Sequence, residues 1–136
     1  MMGTFDVLKI SGSGVSLSQK WIDAISDNIA NMNTVHKTSE SAFQARYVIA
    51  QAVDYGSGRG GVEVGGVAFG SKEGQVSYDP SNPLADGQGM VRRPDINLGD
   101  QMTQLIMAQR SYEANLAVVE RARASYEAAL QLGRNA

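Results

Sequence analysis

From Leu98 to Leu130 one stripe of positions can be followed without a slip. It runs Leu98, Met102, Leu105, Gln109, Tyr112, Leu116, Val119, Arg123, Tyr126 and Leu130, spaced alternately by four and three. Only Gln109 and Arg123 break its apolar character. A repeat averaging about 3.5 residues keeps such a stripe turned toward a partner helix along its whole length, the pattern of a coiled coil. The N-terminal segment answers it with Val15, Ile22 and Ile29 at seven-residue spacing, and with Ile25 and Met32 on the adjoining row. Two matched helices at the ends, with little between them to build a core, describe an assembly subunit better than an enzyme.

The 136 residues fit one domain, or a helical pair carrying a small second module. Large aliphatics and the single Trp21 sit in the terminal segments, whereas eight of the fifteen glycines fall between Gly56 and Gly74. The net charge of -2 is spread evenly and no basic patch exists, which disfavours nucleic acid as a partner. Without cysteine, disulfides and thiolate zinc sites are excluded. Asp6, Lys9 and a run of Ser and Gly interrupt any signal-peptide pattern over residues 1–20, and no apolar run is long enough to span a membrane. A soluble, cytoplasmic chain is the expectation on these grounds alone.

Three units follow: residues 1–34 as an N-terminal helix, 35–96 as a β-rich or extended centre, and 97–136 as a C-terminal helix. The first helix is expected over 11–32, with Ser11 and Ser13 as candidate N-caps. A flexible connector follows from Val35 to Ser41. Phe43, Ala45, Tyr47 and Ile49 alternate with other residues at strand period; Val62–Phe69 predicts a second strand and Gln75–Tyr78 a short third. Together they make a small Gly-rich hairpin or three-stranded sheet, marginal unless something packs on it. Asp79–Pro94 reads as irregular, because each proline fixes its own φ and restrains the residue before it. Asn97 is placed as an N-cap with Asp100 in the first turn, and Gly133 as the residue just past the helix end. Ordering so long a helix costs more conformational entropy than one buried stripe returns, so further helices are expected against its small-residue faces.

Few residues suit catalysis. Gly56-Ser57-Gly58-Arg59-Gly60-Gly61 is followed by Val62-Glu63-Val64, a strand pattern without the Lys-Ser/Thr of a phosphate loop, and reads as a hairpin loop. His36 is the only histidine and reads as an ordinary surface residue. Asp79 and Asp86 read as turn formers, and no serine has a positioned base. Arg92-Arg93 is expected to pair with a neighbouring subunit's acids. Asn28 and Asn31, three apart within an apolar helix, are either end caps or the amides that fix helix register, with Tyr112–Asn115 as the answering group.

The same residues carry a resemblance. Ile10-Ser11-Gly12-Ser13-Gly14 with Ser26-Asp27-Asn28-Ile29-Ala30-Asn31-Met32-Asn33-Thr34 resembles the N-terminal signature of the bacterial flagellar axial proteins, the rod and hook family. Tyr78-Asp79-Pro80-Ser81-Asn82-Pro83-Leu84-Ala85-Asp86 and Gly89-Met90-Val91 are similar to the middle of its proximal-rod members. Pro94-Asp95-Ile96-Asn97 and Ala108-Gln109-Arg110-Ser111-Tyr112-Glu113-Ala114-Asn115 resemble its C-terminal signature. Asp79, Pro80, Pro83, Ala85 and Asp86 form the central motif.

The resemblance implies a non-enzymatic subunit of the basal-body rod, needing no cofactor, metal or small-molecule substrate. It implies export through the flagellar type III apparatus without a cleaved signal, residence in the periplasmic rod, and rod proteins and copies of itself as partners. Membrane insertion is not implied. The expected fold is mainly α: terminal helices paired as an antiparallel coiled coil, with the hairpin module between them. Val15, Ile22, Ile25, Ile29, Leu105, Tyr112, Leu116 and Val119 are expected to form the seam, and Asn28, Asn31 and Asn115 to set its register. The alternatives are another axial rod or hook protein, a stably folded cytoplasmic coiled-coil adaptor, or an enzyme if the glycine loop binds nucleotide.

Overall fold

In the computed structural model, which describes residues 3–136, two long helices flank two separate hairpins. The first helix, α1, spans Thr4–Asn31, seven residues earlier at its start than expected. Gly3 is the N-cap, and its backbone N–H donates to the Asp6 carboxylate at 3.2 Å, where the helix dipole also favours an anion. Ser11 and Ser13 are therefore not caps. Ser11 is buried in the helix, and the Ser13 hydroxyl donates to the Ile10 carbonyl at 2.6 Å. The helix runs through both Gly12 and Gly14, and at Gly14 burial against Asn115 offsets the poor helix propensity.

After α1 the chain is anchored by a two-way bridge in which His36 and Arg92 exchange backbone hydrogen bonds, both 2.9 Å. The connector is thus tied down, and His36 is half-buried with its Nδ1 enclosed. Strands β1 (Arg46–Gly56) and β2 (Arg59–Phe69) form an antiparallel hairpin, running from the Arg46↔Phe69 pair to Gly56↔Arg59, with irregularities after Ile49 and Asp54. Its tip needs three successive positive φ values, at Gly56 (83°), Ser57 (58°) and Gly58 (73°).

Strand β3 (Gln75–Tyr78) does not join this sheet. It pairs antiparallel with β4 (Met90–Arg93), a strand inside the stretch expected to be irregular. The turn between them closes on itself: Asp79 N–H donates to the Gly89 carbonyl and Asp86 N–H to the Met90 carbonyl, at 2.9 and 3.0 Å. Such closure explains how a Pro- and Gly-rich loop can return a strand.

The last helix, α2, spans Leu98–Arg134, with Asn97 accepting from the Asp100 N–H at 3.1 Å. Gly133 lies within it and Asn135 caps it, so the helix passes the expected stop. α1 is the middle layer: α2 packs along one side and the β1–β2 hairpin along another. The core is small. Ile25, Ala42, Ala45, Val91 and Ala108 are its buried apolar residues, and Ser11, Ser18, Asn28 and Gln101 are buried beside them. No helix among the described residues is long and apolar enough to cross a membrane.

Candidate assembly interface

Four contacts define how α1 meets α2. The Phe5 ring stands edge-on to Tyr126 with centroids 5.1 Å apart. Gly14 faces the Asn115 side chain, the Ser18 hydroxyl donates to that of Ser111 at 3.0 Å, and Asn28 Nδ2 donates to Gln101 Oε1 at 3.0 Å. From Ser18 to Asn28 α1 advances ten residues while α2 retreats ten, from Ser111 to Gln101. The helices are antiparallel and hold one register.

The buried centre of this contact is mostly small and polar; of the residues expected to form an apolar seam, Ile25 is the one that lies within it. Ser11, Gly14, Ser18, Ile25 and Asn28 line it on α1, and Gln101 and Ala108, seven apart, on α2. Val15, Ile22, Ile29, Leu105, Tyr112, Leu116 and Val119 lie half-buried on its flank. Leu98, Met102 and Leu130 are 45%, 44% and 51% exposed, so they are not seam residues in this chain. Gln109 and Arg123 are exposed too, and Arg123 pairs with Glu127 one turn on.

Geometry gives the reason. A Cβ on Gly14 would stand 2.5 Å from Asn115 Oδ1, so the bare glycine is what lets the Asn115 amide lie against α1. Hydroxyls and amides can line so close a contact because they satisfy one another there. The apolar rows of both antiparallel helices then fall on one side of the pair, away from the hairpin.

Asn28 has no exposed surface and joins three elements. Besides Gln101, it donates from Nδ2 to the Arg46 carbonyl at 2.9 Å and accepts the Arg46 N–H on Oδ1 at 2.8 Å. It thereby caps the free edge at the start of β1. Ser13 does the same for β2, accepting the Val62 N–H at 3.0 Å, and Gly61 sits against it where a Cβ would meet the hydroxyl at 2.5 Å. Asn31 and Asn115 donate to carbonyls of their own helices, Asp27 at 2.9 Å and Ser111 at 2.8 Å. Neither makes a cross-helix hydrogen bond among the described residues.

The central motif organises the β3–β4 turn. Asp79 accepts from Ser81, Asn82 and Arg93 at 3.1, 3.3 and 3.4 Å. Ala85 N–H donates to the Asn82 carbonyl at 3.0 Å, while Pro80 and Pro83 are exposed along the loop. Asp86 accepts the N–H groups of Met90 and Gln88 and the Thr38 hydroxyl, each at 2.9 Å. These bonds, the Met90 N–H foremost, hold its carboxyl below the usual carboxylate range. Arg92 donates to the carbonyls of Thr38 and Glu73, and Arg93 pairs with Asp79. Both arginines are thus engaged inside the chain, against the expectation that they reach a neighbour's acids. The glycine loop is the hairpin tip and runs straight into β2, so no helix N-terminus stands behind it to receive a phosphate.

Sequence reasoning missed Ser11, Gly14, Ser18, Gln101, Ala108 and Ser111. Their signal was a heptad of small and polar residues beside the apolar one.

The family model described as flagella basal body rod protein matches residues 8–35, which fall on α1 and the start of the connector. The model described as flagellar basal body rod FlgEFG protein C-terminal matches residues 88–132, from β4 through α2. The flagellar basal-body rod protein FlgC of Salmonella typhimurium is 30% identical over 135 residues, covering 98% of this chain and 100% of the relative. That of Agrobacterium fabrum is 33% identical over 117 residues, covering 85% and 84%. That of Borreliella burgdorferi is 27% identical over 150 aligned positions, covering 96% and 98%. The chain belongs to the FlgC family of flagellar basal-body rod proteins.

Proposed function

We propose that this chain, a structural rod subunit and not an enzyme, acts by adding its helix pair to the wall of a helical tube. The half-open apolar flank carries this reading. Val15, Ile22 and Ile29 on α1 and Leu105, Leu116 and Val119 on α2 stay half-buried, and Leu98, Met102 and Ile106 beside them are 45%, 44% and 49% exposed. Helices of other rod subunits, or of further copies, would cover them and complete a coiled-coil packing that one pair leaves unfinished. Asn28 sets the register within the chain, while Asn31 and Asn115 act at contacts made on assembly. The outer β modules, with the central motif, adapt the subunit to its rod neighbours.

The chain would reach the periplasmic part of the rod through the flagellar type III exporter, as an unfolded thread. The absence of cysteine fits such passage, and so does a polar seam that can be wetted without exposing much apolar surface. Ala114, exposed on α2, tests the lateral contacts. Ala114→Leu should leave the amount of chain in the cell unchanged and reduce swimming in soft agar severely, with Asn31→Leu acting in the same direction. Normal swimming by both variants would overturn the reading of these faces as assembly contacts.

A further inference from the structure

Glycine follows an aspartate or asparagine at one place in the chain, Asp86–Gly87. At such a pair the following nitrogen is unshielded, because glycine carries no Cβ, and the side-chain carboxyl can reach it. Asp86 sits exposed on the turn between β3 and β4, and a Cβ on Gly87 would meet open space. No steric barrier protects this bond.

Hydrogen bonding protects it instead. Oδ1 of Asp86 accepts the N–H groups of Gln88 and Met90, and Oδ2 accepts the Thr38 hydroxyl, all at 2.9 Å. The main chain is held as well: the Asp86 N–H donates to the Met90 carbonyl at 3.0 Å, and the Asp86 carbonyl accepts the Gly89 N–H at 2.9 Å. Swinging Cγ onto the Gly87 nitrogen turns both χ1 and ψ of Asp86, which breaks bonds at the carboxylate and along the turn. The same side-chain bonds, the Met90 N–H foremost, hold the carboxyl below its ordinary value of 3.8, and an ionised carboxylate is a poor electrophile. Thr38 lies 48 residues away in sequence, so the unfolded chain loses this shield.

We infer that Asp86–Gly87 forms isoaspartate in the unfolded chain, that folding of the turn suppresses the reaction, and that the product accepts a methyl group from S-adenosylmethionine. The Gly87 nitrogen attacks Cγ: a C–N bond forms, a carboxyl C–O bond breaks, and the amide proton leaves with that oxygen as water. Water then opens the resulting succinimide. Opening at the main-chain carbonyl routes the backbone through Cγ and frees the α-carboxylate, the group that methyl transfer esterifies. No oxidant is consumed and the mass is unchanged. The backbone gains one atom, and the acceptor for Gln88 and Met90 is lost, so an aged chain cannot close the β3–β4 turn as the native one does. The inference concerns the chain before assembly and goes beyond the tube-building reading.

Basal bodies carrying the chain are aged in neutral buffer beside the same preparation dissolved in guanidinium chloride. Isoaspartate is read as methyl groups transferred from S-adenosylmethionine by an isoaspartyl methyltransferase, and fragment-ion mass spectrometry locates it. It should accumulate at Asp86 in denaturant, and at least about tenfold more slowly in basal bodies. Gly87→Ala, which fits the open space, should cut the rate in denaturant about tenfold. Thr38→Val removes the hydroxyl on Oδ2 and should raise the rate in basal bodies at least about threefold, whereas Thr38→Ser should leave it unchanged. Isoaspartate arising elsewhere in denaturant but not at Asp86 overturns the site, and isoaspartate at Asp86 that takes no methyl group overturns its acceptor role. Equal rates in the two states, or no response to Thr38→Val, overturns protection by the turn. Should Thr38→Val fail to assemble, the two states of the unaltered chain decide.

Discussion

Replacing Asn28 by alanine removes one side chain that serves three partners: the Gln101 amide oxygen and both backbone groups of Arg46. Each net hydrogen bond is worth about 0.5–1.5 kcal/mol, and an orphaned buried acceptor costs about 1–3. Gln101 pays in full because it is 2% exposed, whereas Arg46 is exposed and can recruit water. The better helix propensity of alanine returns roughly 0.5 kcal/mol. The net destabilisation should be about 2–3 kcal/mol. Urea unfolding followed by far-ultraviolet circular dichroism, and by the fluorescence of Trp21 on the same helix, would read it. With a slope of about 1.5 kcal/mol/M, the midpoint should fall by roughly 1.3–2 M at unchanged slope. Gln101→Ala should cost less, and the double variant should show a coupling of about 1 kcal/mol. A loss under about 0.5 kcal/mol, or purely additive effects, would refute the view that this amide holds the register.

Two other outcomes follow from the same structure. Gly14→Leu should displace the Asn115 amide from its buried place and destabilise the chain by more than about 2 kcal/mol, while Gly12→Leu, with open space at that Cβ, should cost under about 1; equal losses on thermal melting would refute tight packing at Gly14. Asp86 is held below its ordinary value of 3.8, so its stabilising bonds are complete above that pH and lost as pH falls through the depressed value; amide exchange at Gln88 and Met90 should accelerate there, and Asp86→Asn should remove the pH step.

How far the fold is legible in the sequence depends on which side chain does the work. Both terminal helices are, since a sustained heptad period and the Asn97–Asp100 start leave few other conformations. The period is right even where the row is wrong. Apolar patterning weights leucine and isoleucine, yet the innermost positions belong to Gly14, Ser18 and Ala108, whose merit is how little space they take. The early start of α1 is hidden by Gly12 and Gly14, whose poor helix propensity masks the packing at Gly14. Strand β4 is hidden by the prolines ahead of it, because the hydrogen bonds of Asp79 and Asp86 that bend the loop back are long-range in effect. Asn28 is legible as a polar residue within a helix contact, but its hold on Arg46 is not.

The central place of α1 has a mechanical consequence. The hairpin and α2 both pack chiefly on α1, so the three act largely as springs in series. A push on the outer strands reaches the far helix mainly through α1, and Ser13 and Asn28 are the polar pins of that joint. The stiffness of the whole subunit is therefore set by the softer of two joints that meet on one rod of backbone.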